Sequence, residues 1–136
     1  MKRNALSSDS IAISSTEIQN NLVMHIQERN VHNKIFGGFL MREMIESGWI
    51  AGKVFVKDNI ISLEDITNIY FRKAVEIGAR LKIISRITYT EKNIIAVTVE
   101  AYAMDLSSES EELSCKLLIF MKTEKWQKKV VPHTYE

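Results

Sequence analysis

One face of a single stretch limits what this chain can become. Over residues 38–54, Leu40, Met41, Met44, Ile45, Gly48, Ala51 and Gly52 recur at spacings of three and four, the pattern of an amphipathic helix. Arg42, Glu43, Glu46 and Lys53 fall on the other side. Three of the stripe residues are small: Gly48, Ala51 and Gly52. A glycine inside a helix costs about 1 kcal/mol relative to alanine. A close approach of the helix backbone to a sheet offsets that cost. The stripe therefore predicts one helix lying tightly on strands.

The strands are legible on both sides of it. Residues 20–27, NNLVMHIQ, have the length and apolar centre of a strand, and residues 63–71 are β-rich without clean alternation. Residues 80–90 alternate, with Leu81, Ile83, Ile87 and Tyr89 on one face and Lys82, Arg86 and Thr88 on the other. Ile84 is the apolar exception on that second face. Residues 94–104 place Ile95, Val97, Val99, Ala101 and Ala103 together. Residues 113–122 do the same with Leu113, Cys115, Leu117, Ile119 and Met121.

The order is strand, long helix, then four strands in a meander: an α+β fold. One helix covers one face of about five antiparallel strands when the sheet curls around it. A partner subunit is expected over the other face or at the sheet edge. The expected boundaries are a flexible lead-in over residues 1–18, one domain over 19–124 and a charged tail over 125–136. Residues 105–112, acidic and serine-rich, read as a turn.

Composition narrows the function. Lys and Arg total 18 against 17 Asp and Glu, without the basic excess of a dedicated nucleic-acid binder. The one cysteine, Cys115, excludes an internal disulfide and a Cys-rich metal site, and fits a reduced intracellular setting. No apolar run approaches the ~20 residues of a membrane span. The three histidines lack metal-ligand spacing. His25 reads as packed within its strand, His32 sits in the polar loop 28–34, and His133 lies in the tail.

The glycine pair Gly37-Gly38 stands between Ile35-Phe36 and the helix, where a bare backbone asks for a reason. With its surroundings, NVHNKIFGGFLMRE (30–43), and with residues 65–81, 85–103 and 130–136, the chain resembles the hotdog-fold acyl-CoA thioesterases. It is most similar to the second hotdog domain of the tandem, mitochondrial-type enzymes. The resemblance implies one long central helix wrapped by a curved antiparallel sheet, and hydrolysis of acyl-CoA to fatty acid and CoA. It implies that Asn30 positions the attacking water. It further implies that Gly38 offers its N–H, at the helix start, to the thioester carbonyl. No cofactor or metal is expected, coenzyme A being part of the substrate.

One departure matters. Bacterial and cytosolic relatives carry an acid nine positions after the FGG aromatic, and here that position is Ile45. Glu46 follows, rotated by about 100° around the helix. It is a candidate base, or a solvated partner for Arg42. In the tandem enzymes the acid comes from the first hotdog domain. The alternative function is thus a non-catalytic acyl-CoA-binding or dimerisation domain that needs an acid-bearing partner. A hotdog dehydratase would use a His with an acid, a pair this sequence does not present.

Further site candidates follow from the resemblance: Gly37, Phe36, His32 and Asn33 around the substrate, and Arg42, Arg72, Lys73 and Arg80 for the coenzyme A phosphates. Asn30 also suits a plain turn-capping role, and most Lys and Arg are ordinary surface cations. Ala74 stands where the family commonly has proline. Hotdog sites lie between two subunits, so a homodimer, a higher even oligomer or a pairing with a second hotdog domain is implied, in mitochondria or cytoplasm.

Overall fold

The stripe meets its sheet as its small residues require. A computed structural model describes residues 10–23, 37–57, 61–76, 78–104 and 110–132. Its elements are β1 (Ser10–Ala12), a 3-10 turn (Ile13–Thr16), β2 (Ile18–Val23), α1 (Gly37–Val56), β3 (Ile61–Phe71), β4 (Arg80–Glu91), β5 (Ile94–Met104), β6 (Glu112–Thr123) and β7 (Lys129–Val131). Five strands form an antiparallel sheet in the order β2-β4-β5-β6-β3, and α1 packs against its β4 and β5 centre. Leu40, Met44, Ser47, Gly48, Ala51 and Gly52 are buried, while Met41 and Ile45 only half-bury beside them. A Cβ on Gly48 would stand 2.6 Å from Ile119 Cδ1 and 2.9 Å from Val99 Cγ2. One on Gly52 would stand 2.6 Å from Met121 Sδ. The small side of the helix is therefore a contact surface with no spare room.

The meander holds for β4, β5 and β6 only. β3 crosses to the far edge and pairs with β6, so the helix and β3 together bridge the sheet from one edge to the other. Its ladder is interrupted between Leu63 and Asp65 and between Thr67 and Tyr70, and Asn68 takes φ 54° in the second break. Asn tolerates that left-handed conformation better than most residues. These bulges are why residues 63–71 do not alternate.

Two face assignments need correction for the same reason. In β4 a bulge between Ile87 and Tyr89 turns Tyr89 outward, 48% exposed, and brings Thr90 inward. In β6 the register shift at Ala101/Tyr102 pairs Tyr102 with Leu113, so Ser114 becomes buried and Leu113 lies outside the fully buried core. A one-residue slip moves every following side chain to the other face. Cys115 remains a core residue at 0% exposure, and burial pushes its thiol pKa up.

The lead-in and the tail also differ from expectation. From Ser10 the lead-in is structured: β1 pairs in parallel with β7, Ile11 opposite Val130. Thr90, turned inward by its bulge, donates to Lys128 O at 2.8 Å and accepts from Val130 N at 3.2 Å. Thr16 Oγ1 accepts from Ile87 N at 2.8 Å. Two hydroxyls thus fasten both ends to β4. The outer face of the sheet is charged, with Arg86 bridging Glu17 at 2.9 Å and Glu100 at 3.2 Å, and Lys116 reaching Glu100 at 3.8 Å.

Candidate active site

The direction of α1 over the sheet decides what lies near its start. Gly48 faces Val99 and Ile119, and four residues later Gly52 faces Ile95, Met121 and Ile61. The helix therefore runs toward the beginning of β5. Its first turn lies about 15 Å back from Gly48, at 1.5 Å per residue. That distance reaches the sheet end where Arg80 pairs with Met104, three residues beyond the row in which Phe71 pairs with Cys115 and Cys115 with Ala101. Gly38 is exposed there in the first turn. First-turn amides have no partner within their own helix, and the macrodipole favours negative charge beside them.

The same end gathers three of the predicted cations. Arg72 and Lys73 leave β3, their backbone N–H groups both donating to Ser114 O at 2.8 and 3.3 Å. Val75, 2% exposed, plugs the following turn into the core, and Gly78 takes φ 88° to close it. Buried Val75 anchors the turn although Ala74 replaces the family's proline. Arg80 then opens β4. Because β3 and β4 lie three strand spacings apart, Arg72 and Arg80 are about 14 Å from one another across the sheet. Lys73 is already engaged: Glu112 accepts from its ammonium at 2.6 Å, and that hydrogen bond holds the Glu112 carboxyl below its usual pKa. Arg72 forms no ion pair among the described residues. Arg80 lies against Met104 Sδ in a recess of about 230 Å³ that Asn21, Lys82 and Glu111 also line.

On the helix, Ile45 packs against the core and Glu46 is exposed. Arg42 approaches Glu43 at 4.0 Å and its guanidinium lies 5.7 Å from the Phe39 ring centre. The expected Arg42–Glu46 pair is not among the ion pairs of the described residues. Glu43, not Glu46, takes the arginine. Asn30, His32, Asn33 and Phe36 lie outside the described residues, as do His25 and His133. The sequence reading missed Ser47, buried at 4% and accepting a 3.3 Å hydrogen bond from Asn20 Nδ2 of β2. Its place was readable, three residues after Met44 and four before Ala51. Among the described residues no three His, Cys, Asp or Glu are grouped to hold a metal ion, and no helix is long and apolar enough to cross a membrane.

Helix, sheet order and wrapping together are the hotdog fold, and solved structures share it. An acyl-CoA hydrolase from Staphylococcus aureus, in complex with butyryl coenzyme A, coenzyme A and coenzyme A disulfide, superposes with a TM-score of 0.82 at 18% identity. It covers 90% of this chain and 77% of its own. An apo-hexameric acyl-CoA thioesterase superposes with a TM-score of 0.83 at 16% identity, over 92% of this chain and 83% of its own. In sequence, mitochondrial acyl-coenzyme A thioesterase 9 of Bos taurus is 32% identical over 133 residues, 96% of this chain. The chain spans about 30% of that relative's length. No family model matches. The chain is a hotdog-fold relative of the acyl-CoA thioesterases.

Proposed function

We propose that this domain hydrolyses acyl-CoA thioesters as the loop-and-helix half of a two-part site. The single observation that carries the reading is the exposed first-turn amide of Gly38 at the sheet end where Arg72 and Arg80 stand. A carbonyl oxygen at that amide is polarised. Water, placed by Asn30, loses a proton to a carboxylate and attacks the carbonyl carbon. The amide and helix dipole stabilise the oxyanion, the C–S bond breaks, and the coenzyme A thiolate leaves and takes up a proton. Gly37, Phe36, His32 and Asn33 are the further substrate contacts of this reading, which rests for them on the resemblance. Arg72 and Arg80 meet the phosphates, with Lys73 and Arg42 behind their own carboxylates. No cofactor takes part.

The carboxylate is the open half. Ile45 turns an alkyl side chain where the relatives' acid is expected, and Glu46 points to solvent. We place the base on a partner hotdog domain, with Glu46 as the alternative within this chain. The test is turnover of acyl-CoA of several chain lengths by the chain alone and mixed with an acid-bearing hotdog domain. Turnover that rises with the partner and survives Glu46→Gln supports the reading. No turnover in either sample overturns it in favour of a binding or dimerisation domain.

The partner's seat is β3. It is an edge strand, and Leu63, Ile69, Tyr70 and Phe71 are each 43–53% exposed on it. Open ladder groups beside apolar side chains invite a second strand. Pairing there seats either the acid-bearing hotdog domain or a second copy of this chain, in a homodimer or a higher even assembly that the hexameric neighbour supports. A second copy, carrying Ile45 too, brings no acid at that position. Ile69→Asp with Tyr70→Asp is expected to shift the protein to monomer in sedimentation velocity. An unchanged assembly places the interface elsewhere. The bovine relative's mitochondrial name supports a mitochondrial setting over a cytoplasmic one.

A further inference from the structure

The opposite end of α1 carries a second feature that thioester hydrolysis does not use. Around Val54 and Phe55 lies a groove of about 550 Å³, within the range of about 300–1,000 Å³ typical of small-molecule sites. Ile11 and Ile18 back it, and Lys57, Lys125, Trp126 and Lys128 form its rim. Trp126 is 76% exposed, an unusual place for an indole on a monomer's surface. The turn that carries it is itself tied by hydrogen bonds. Gln127 N donates to Lys92 O at 2.7 Å, Gln127 Nε2 to Thr123 Oγ1 at 3.0 Å, and Thr123 Oγ1 to Lys125 O at 2.7 Å. Lys92 Nζ stands 6.0 Å from the ring centre. Lys57, Lys92, Lys125 and Lys128 form no ion pair among the described residues. The carboxylate that lines the groove, Glu17, is already taken by Arg86.

An exposed flat ring, an apolar wall and three rim ammonium groups without ion pairs among the described residues match one ligand chemistry. We propose that this groove binds a nucleotide phosphate, the base stacking on Trp126 and the phosphates meeting Lys125, Lys128 and Lys57. The site is separate from Gly38, about 25 Å away along the helix. Free mononucleotides and the nucleotide end of a coenzyme A share this chemistry.

In a Trp49→Phe variant Trp126 is the one remaining tryptophan, since the chain has two. ADP and coenzyme A are each titrated against its emission, which reads this groove independently of turnover. Saturable quenching by ADP assigns the groove to free nucleotides, and quenching by coenzyme A alone assigns it to that molecule's nucleotide end. In either case Lys125→Ala with Lys128→Ala weakens binding about tenfold, and added salt weakens it further. Absence of saturable quenching by both ligands overturns the proposal. So does quenching that the lysine variants leave unchanged, or a response confined to phosphatidylserine vesicles. Should Trp49→Phe fail to fold, fluorine NMR of the 5-fluorotryptophan-labelled natural chain gives the same readings.

Discussion

Gly48→Ala lowers the unfolding free energy by about 1–2 kcal/mol, against the usual direction for alanine in a helix. Alanine recovers about 1 kcal/mol of helix propensity. The new methyl, however, lands 2.6 Å from Ile119 Cδ1 and 2.9 Å from Val99 Cγ2, in side chains that are 0% exposed. Both neighbours branch at Cβ and hold one rotamer firmly, so strain of about 1–3 kcal/mol wins. Chemical denaturation measures the loss. Ile119→Val removes the nearer atom, so in the double variant part of the loss returns, as a coupling energy between the two sites. Gly52→Ala is the control. Its methyl meets Met121 Sδ, in an unbranched chain that yields more readily than the Cβ-branched Ile119 and Val99. There the propensity gain cancels the crowding, and stability changes by less than about 0.5 kcal/mol. A Gly48→Ala variant as stable as the natural chain would refute the close-packed stripe.

Gly38→Pro separates the amide from everything else the helix start provides. Proline is tolerated in a first turn because the N–H it removes has no partner within the helix. Fold and assembly are therefore expected to survive, as circular dichroism and sedimentation check. Losing one oxyanion donor costs about 10²–10³ in kcat. With an acid-bearing partner present, that loss is expected in kcat with KM little changed. Gly38→Ala keeps the N–H and adds a methyl, so any fall there reports the room a carbonyl needs. Full turnover by the proline variant would remove the amide from the mechanism.

How much of this was readable varies with range. β5 was legible because Ile95, Val97, Val99 and Ala101 repeat every second residue with no bulge among them. The helix was legible through the same kind of local period, down to its small residues. Tyr89 and Leu113 were misplaced because a bulge leaves no fixed residue signature: Thr88 and Ser114 look like any strand residues. β3 at the far edge was hidden because strand adjacency is a long-range choice that the order of elements does not encode. The tail was hidden too, since its anchor is one hydroxyl, Thr90, that only the bulge turns inward. At the site, spacing exposed the bare backbone of Gly37 and Gly38. It did not bring Arg72 and Arg80 to the same end as Gly38, because that depends on which way the helix runs across the sheet. The resemblance, and not periodicity, gave Ile45 its meaning.

The parallel pairing of β1 with β7 has a mechanical consequence. Because the strands are parallel, Ser10 at the start of β1 and Val131 at the end of β7 lie at opposite ends of this two-strand ribbon. A pull between them slides β1 along β7, loading their slanted hydrogen bonds together and not one after another like a zipper. Three residue pairs, backed by Thr90, thus stand as a shear clamp between any tether at either side and the core, and the clamp must slip before force reaches the helix.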